Sequence, residues 1–180
     1  AQAGPTPVSE ADLNQHIEQA LADYFAERLD DCTDLDPSFA EAARQLRAFV
    51  LDGGKRIRPR FAWWGWRAAG GDRQGPDAAA TLRAVSSLEL IQACALMHDD
   101  LIDDSDTRRG QPTVHRHFAM EHHQRALAGD GDRFGMSLAI LLGDLALVWA
   151  DDMLHSAGLD PHALNRALSP WQGMRTEVLA

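Results

Sequence analysis

The sequence predicts an all-α domain, and three stretches carry that prediction. Leu13, Ile17, Leu21, Phe25 and Leu29 recur at helical spacing, which gives a first helix one apolar face. Thr81 to Met97 is mostly apolar with no internal Gly or Pro. Phe134 to His155 is apolar on nearly every face, the pattern of a helix buried in a core or a subunit interface. A chain of 180 residues is long enough for one domain with a real core, and 45% hydrophobic content argues against disorder.

Boundary signals place the elements. Ala1 to Pro7 lacks the basic start and apolar core of a signal peptide and reads as a flexible lead; residues 8–180 read as a single all-helical domain, incomplete at its C-terminus. The first helix spans Val8 to Leu29, with Ser9 as N-cap and Asp12 three residues on. Asp36-Pro37 opens a second, which Gly53-Gly54 ends after Leu51. Pro59 marks the boundary with a third, Phe61 to Ala69, whose Trp63, Trp64 and Trp66 read as core and interface aromatics. After a loop from Gly70 to Pro76, one long central helix runs from Asp77 to Asp104. A turn at Gly110 to Pro112 leads to a helix from Val114 to Leu127, then Phe134 to His155, then Pro161 to Ala180. Asp144, within the apolar helix, must be paired or face a polar cavity, and Asp151-Asp152 reads as a solvated helix end.

Composition excludes several classes of function. A net charge of -10 disfavours nucleic acid, whose phosphates need a basic face. Cys32 and Cys94 form no C-x-x-C pair and fit a reducing, cytoplasmic setting. No run of about 18 uninterrupted apolar residues suggests a membrane span. His115, His117, His122 and His123 read as surface histidines, since no Cys or carboxylate spacing supports zinc.

Two charged motifs stand out. His98-Asp99-Asp100-Leu101-Ile102-Asp103-Asp104-Ser105-Asp106 holds five aspartates in eight residues, followed by Arg108-Arg109-Gly110. On a helix Asp99 and Asp103 lie one turn apart on one face, and two such carboxylates repel unless a cation sits between them. An all-oxygen site suits a hard ion such as Mg²⁺, and the loop pattern of an EF-hand is absent. The second motif, Gly53-Gly54-Lys55-Arg56-Ile57-Arg58-Pro59-Arg60, puts four basic residues in six positions beside a glycine pair. Lys55 is the sole lysine, a flexible point charge for phosphate, and arginines add bidentate contacts. An acidic metal cluster and a basic phosphate cluster in one helical domain point to a diphosphate site.

These motifs, with Glu89-Leu90-Ile91-Gln92, Arg108-Arg109-Gly110-Gln111-Pro112-Thr113-Val114-His115 and Leu142-Gly143-Asp144, resemble the N-terminal half of the trans-isoprenyl diphosphate synthases, the polyprenyl synthetase family. The resemblance implies about the first half of a helical bundle of the isoprenoid synthase type. It implies condensation of an allylic diphosphate with isopentenyl diphosphate, head to tail, to a longer trans-prenyl diphosphate, by a homodimer joined through Phe134 to His155. Lys55, Arg58, Gln92 and Arg109 would hold the isopentenyl diphosphate. Asp99 and Asp103 would bind Mg²⁺ at the allylic diphosphate, with Asp100 in support and Arg108 on that diphosphate. Gln92 stands where many prokaryotic relatives have His and can still donate a hydrogen bond. The family's second aspartate-rich motif is expected beyond Ala180, so this chain alone is expected to be inactive or weak.

A class I terpene cyclase and a non-catalytic subunit of a heteromeric synthase are the alternatives. The first has no need of Gly53 to Arg58, and the second no use for the aspartates. At 100° per residue, Gln92, Ala95 and Leu88 fall within about 40° of Asp99. Ala95 and Cys94, which in the family help set product length, are small, and Leu88 is the first bulky apolar residue on that face, roughly 16 Å back along the axis. A product of C20 or longer is the expectation.

Overall fold

The computed structural model describes residues 12–178; the lead, the Ser9 cap and the last two residues lie outside the described residues. It consists of helices α1 (Leu13–Leu35), α2 (Pro37–Leu51), α3 (Ile57–Ala68), α4 (Ala78–Ser86) and α5 (Leu88–Ile102), a two-stranded hairpin of β1 (Thr107–Arg108) and β2 (Gln111–Pro112), then α6 (Val114–Gln124), α7 (Gly131–His155) and α8 (Pro161–Val178). The strands are antiparallel, with Thr107 opposite Pro112 and Arg108 opposite Gln111. α7 is the hub and packs most extensively on α6 and α5, while α1 lies on α2 and α4.

Helix α1 buries the predicted stripe, Leu13, Ile17, Leu21 and Phe25, and adds Tyr24, whose hydroxyl donates to the Trp149 carbonyl at 3.0 Å. It runs past Leu29 to Leu35 because nothing stops it before Pro37. Asp36 takes the extended conformation that a residue before proline prefers. Its carboxylate then accepts from the Ser38 and Phe39 amides at 2.7 and 3.1 Å, so one residue ends α1 and caps α2.

The ladder of the central helix expected from Asp77 to Asp104 is interrupted at Ser87, whose φ and ψ stay helical at -58° and -23°. The Ser86 and Ser87 hydroxyls donate to the carbonyls of Leu82 and Ala84 at 2.7 and 2.6 Å. Such back-bonding competes with the helical ladder. Helix α5 stops at Ile102, short of Asp104. Asp104 is left-handed (φ 49°), the Ser105 amide donates to the Asp100 carbonyl at 2.9 Å, and the Asp104 amide to Leu101 at 3.3 Å. These are the two bonds of a Schellman close, made around an aspartate where a glycine is usual.

Helix α3 starts at Ile57, two residues ahead of Pro59, because a first-turn residue has no use for its N–H. Trp63 is fully buried against Trp66, whereas Trp64 is exposed. His115 and His122 are buried, which corrects their reading as surface residues; His117 and His123 are exposed. His122 Nε2 meets the Ala128 carbonyl at 3.2 Å, and burial holds the His115 imidazole below its usual pKa. Asp151 is no solvated helix end either. It accepts from Trp171 Nε1 and Arg175 Nη1, each at 2.8 Å, and so anchors α8.

By length and composition alone, Ala78–Ile102, taken across Ser87, and Gly131–His155 would pass for membrane spans despite their polar interruptions. In this fold α5 packs against α7, and Met136, Ile140, Leu141 and Val148 of α7 stay exposed.

Candidate diphosphate site

The site is built where the C-terminal end of α5, the hairpin and the α2–α3 loop meet. Asp100 is buried, and Arg108 clamps it from the hairpin through Nε at 3.0 and 2.9 Å and Nη2 at 2.7 Å. This bidentate fork raises the guanidinium's pKa, chiefly through the bonds to Asp100, with Asp99 and Asp103 adding to it. Arg108 Nη2 also lies 3.5 Å from Asp99, which is exposed, as is Asp103 one turn on. The three carboxylates therefore divide: Asp100 faces inward and fixes the hairpin, while Asp99 and Asp103 face solvent.

The hairpin turns at Arg109-Gly110, both left-handed (φ 52° and 78°), not at Gly110 to Pro112. That turn sends Arg109 away from its neighbour. Its Nη1 donates to the carbonyls of Asp52 at 2.8 Å and Gly53 at 3.3 Å, the start of the basic loop. One Arg-Arg pair thus joins the acidic helix end to the basic loop. Lys55 is exposed on that loop and Arg58 in the first turn of α3, and Gln92 is half-buried on α5. A cleft of about 680 Å³ opens beside the junction, lined by Phe49, Asp52, Arg108, Arg109, Gln111 and His117 among others.

The donor set fits a hard cation that substrate oxygens complete. Two solvent-facing carboxylates one turn apart suit Mg²⁺, which is commonly held by one or two carboxylates plus phosphate and water. Among the described residues no three His, Cys, Asp or Glu side chains are gathered to hold an ion unaided.

The residues expected to govern tail length are not together. Ala95 is half-buried, and Leu88 lines a separate apolar groove of about 610 Å³ with Trp66, Val85, Leu154, Trp171 and Met174. Cys94 is buried with Sγ 3.9 Å from His98 Nδ1, and burial, with Asp144 as the lesser cause, pushes its thiol up to about 11. Asp144 is exposed and 3.8 Å from His98 Nε2.

The family described as polyprenyl synthetase matches residues 40–169, more than half of the chain. The chain belongs to the polyprenyl synthetase family. It is 37% identical over 143 residues to the farnesyl diphosphate synthase of Geobacillus stearothermophilus, covering 78% of this chain and 38% of that one. It is 36% identical over 123 residues to the geranylgeranyl diphosphate synthase of Cereibacter sphaeroides, covering 67% and 36%. Among solved structures, the geranylgeranyl pyrophosphate synthase of Corynebacterium glutamicum, complexed with isoprenyl diphosphate and magnesium, superimposes with a TM-score of 0.89 at 44% identity over 96% of this chain and 48% of that one. The fold is thus the all-α bundle of the isoprenoid synthase type, and this polyprenyl synthetase chain spans about half the length of that solved relative or less of the curated ones.

Sequence reasoning about this polyprenyl synthetase chain missed Arg56 and Glu89. Arg56 is buried, and its Nη1 lies 2.7 Å from Glu89 Oε2 and 2.9 Å from the Val50 carbonyl. Nothing in a run of four basic residues distinguishes the one that turns inward.

Proposed function

We propose that this chain is the N-terminal half of a Mg²⁺-dependent trans-prenyl diphosphate synthase. It would act on an allylic diphosphate and isopentenyl diphosphate in a homodimer in a reducing, cytoplasmic setting, the latter supported by the two free cysteines. The observation that carries this reading is the Arg108-Arg109 junction, which seats a basic loop against an acidic helix end. Two diphosphates need two such neighbouring electrostatic environments.

Asp99 and Asp103 would hold Mg²⁺, which when bound neutralises the allylic diphosphate and eases its departure. Asp100 keeps Arg108 aimed at that diphosphate. Lys55, Arg58, Gln92 and Arg109 would hold the isopentenyl diphosphate by charge and hydrogen bonds. In the condensation the allylic C–O bond breaks, the isopentenyl alkene forms the new C–C bond at that carbon, and a proton and diphosphate are lost. The rest of the family's length would supply further carboxylates, so the 180-residue chain by itself should turn over weakly. Small Ala95 supports a C20 or longer product.

Calorimetry with an allylic diphosphate tests the metal site. The parent should bind more tightly with Mg²⁺ than without, and Asp103→Ala should lose that difference. Equal affinity with and without the ion refutes it. For product length, Ala95→Phe in the longer protein should shorten the prenyl alcohols recovered after dephosphorylation, and an unmoved profile means the tail runs elsewhere.

A further inference from the structure

Of the four basic residues from Lys55 to Arg60, Arg56 alone is buried, with its side chain 2% exposed. Its guanidinium reaches three helices. Nη1 donates to the Val50 carbonyl in the last turn of α2 and to Glu89 in the first turn of α5, and Nε lies 3.6 Å from Glu18 of α1. Glu89 is itself 11% exposed, so the pair is shielded and each charge needs the other.

The backbone makes the same point. Gly53, Gly54 and Arg56 have φ of 73°, 128° and 49°, so three of the four residues leading into α3 are left-handed. A glycine adopts that region freely, but an arginine does so only when its surroundings hold it there. Arg109 grips the front of the loop through the Asp52 and Gly53 carbonyls, and Arg56 Nη1 grips its back through the Val50 carbonyl and Glu89. Lys55 lies between the two grips, and Arg58 follows the second. Glu89 is also three residues before Gln92, so the anchor sets the loop against the helix that carries Gln92 and, farther on, the aspartates.

We propose that Arg56 is a positioning residue: with Glu89 it locks the Gly53–Arg56 loop so that Lys55, and Arg58 in the first turn of α3, present their charges to one diphosphate without Arg56 touching it. This rests on the reading of that loop as a diphosphate site.

Two readouts on the 180-residue chain test it, with inorganic pyrophosphate as the probe and no Mg²⁺, so that the aspartates do not compete. The sign of the Glu89→Gln effect is decisive. If Arg56 bound the anion directly, removing the nearby negative charge would tighten binding. If Glu89 holds the loop, Glu89→Gln should weaken pyrophosphate binding about tenfold and speed amide exchange at Gly53 to Arg58 by a similar factor. Arg56→Gln, which removes the charge that pairs with Glu89, should loosen the loop in the same way, while exchange in α7 stays at the parent rate as the control for folding. Lys55→Gln should weaken binding yet leave loop exchange unchanged. Tighter binding in Glu89→Gln, or loop exchange at the parent rate in both anchor variants, overturns the proposal. If Lys55→Gln does not change pyrophosphate affinity, the diphosphate reading of the loop fails instead, and the exchange rates alone decide whether Arg56 anchors it.

Discussion

Replacing Gly135 with alanine should destabilise the chain, although alanine is the better helix former. Gly135 sits where α7 crosses α6, and an added Cβ would lie 2.1 Å from the His115 carbonyl oxygen, 3.0 Å from the Ala119 nitrogen and 3.1 Å from the His115 carbonyl carbon. All three are backbone atoms, so no side chain can swing aside. Ordinary contact begins at 3.4 Å, so α6 would have to withdraw by 1.3 Å, the difference between 3.4 and 2.1 Å. Overpacking of this kind costs about 1–3 kcal/mol, and a rigid helix face belongs at the upper end. The gain in helix propensity returns about 1 kcal/mol, leaving a net loss of about 2 kcal/mol. At this chain length that lowers the Tm by about 4–8 °C. Because α6 follows directly from the hairpin, the shift should also loosen Arg108 and Arg109. Gly65 supplies the opposite case: it is exposed within α3 and an added Cβ meets nothing within 4 Å. Gly65→Ala should therefore gain about 0.5–1 kcal/mol. Urea titrations with unchanged m-values would read both. A Gly135→Ala protein as stable as the parent, or stabilised like Gly65→Ala, would refute the reasoning.

Self-association should run through α7, where Met136, Ile140, Leu141 and Val148 are 48, 46, 61 and 56% exposed. Leu141→Glu should turn a concentration-dependent sedimentation profile into that of a monomer, and identical profiles would count against this face. Cys94 should be nearly inert in the native state. With its thiol at about 11 against an ordinary 9.0, alkylation by iodoacetamide at pH 8 should be about a hundredfold slower than in urea. A native rate within tenfold of the unfolded one is the contrary result. The same shift has a sign for stability. The native thiol keeps its proton above pH 9.0, where the unfolded thiol has lost it, so this contribution is full below 9.0 and is lost as pH rises toward 11.

What the sequence determined by itself was whatever depends on local spacing. Leu13, Ile17, Leu21 and Phe25 repeat every fourth residue, and that spacing holds in any surroundings that bury one face. Asp36-Pro37 started α2, and the aspartates, the basic loop and the Arg-Arg pair could be named because their chemistry is written in adjacent residues. The family resemblance rested on the same runs. What needed the tertiary structure was the direction each charge takes. Arg56 and Arg58 are both arginines of one cluster, yet one is buried and the other exposed, because only the first lies within reach of Glu89, which is 33 residues away in the chain. Asp151 became an anchor because α8 folds back to bring Trp171 and Arg175 to it. His115 and His122 went inside because Gly131 and Gly135 let α7 approach α6 closely. The end of α5 was set by a left-handed Asp104, a conformation that an aspartate adopts only where the chain must turn into the hairpin that Asp100 holds through Arg108. A side chain's charge is a property of the residue, but its partner is a property of the fold, since burial makes an unpaired charge too costly and leaves the choice to whatever group packing brings near.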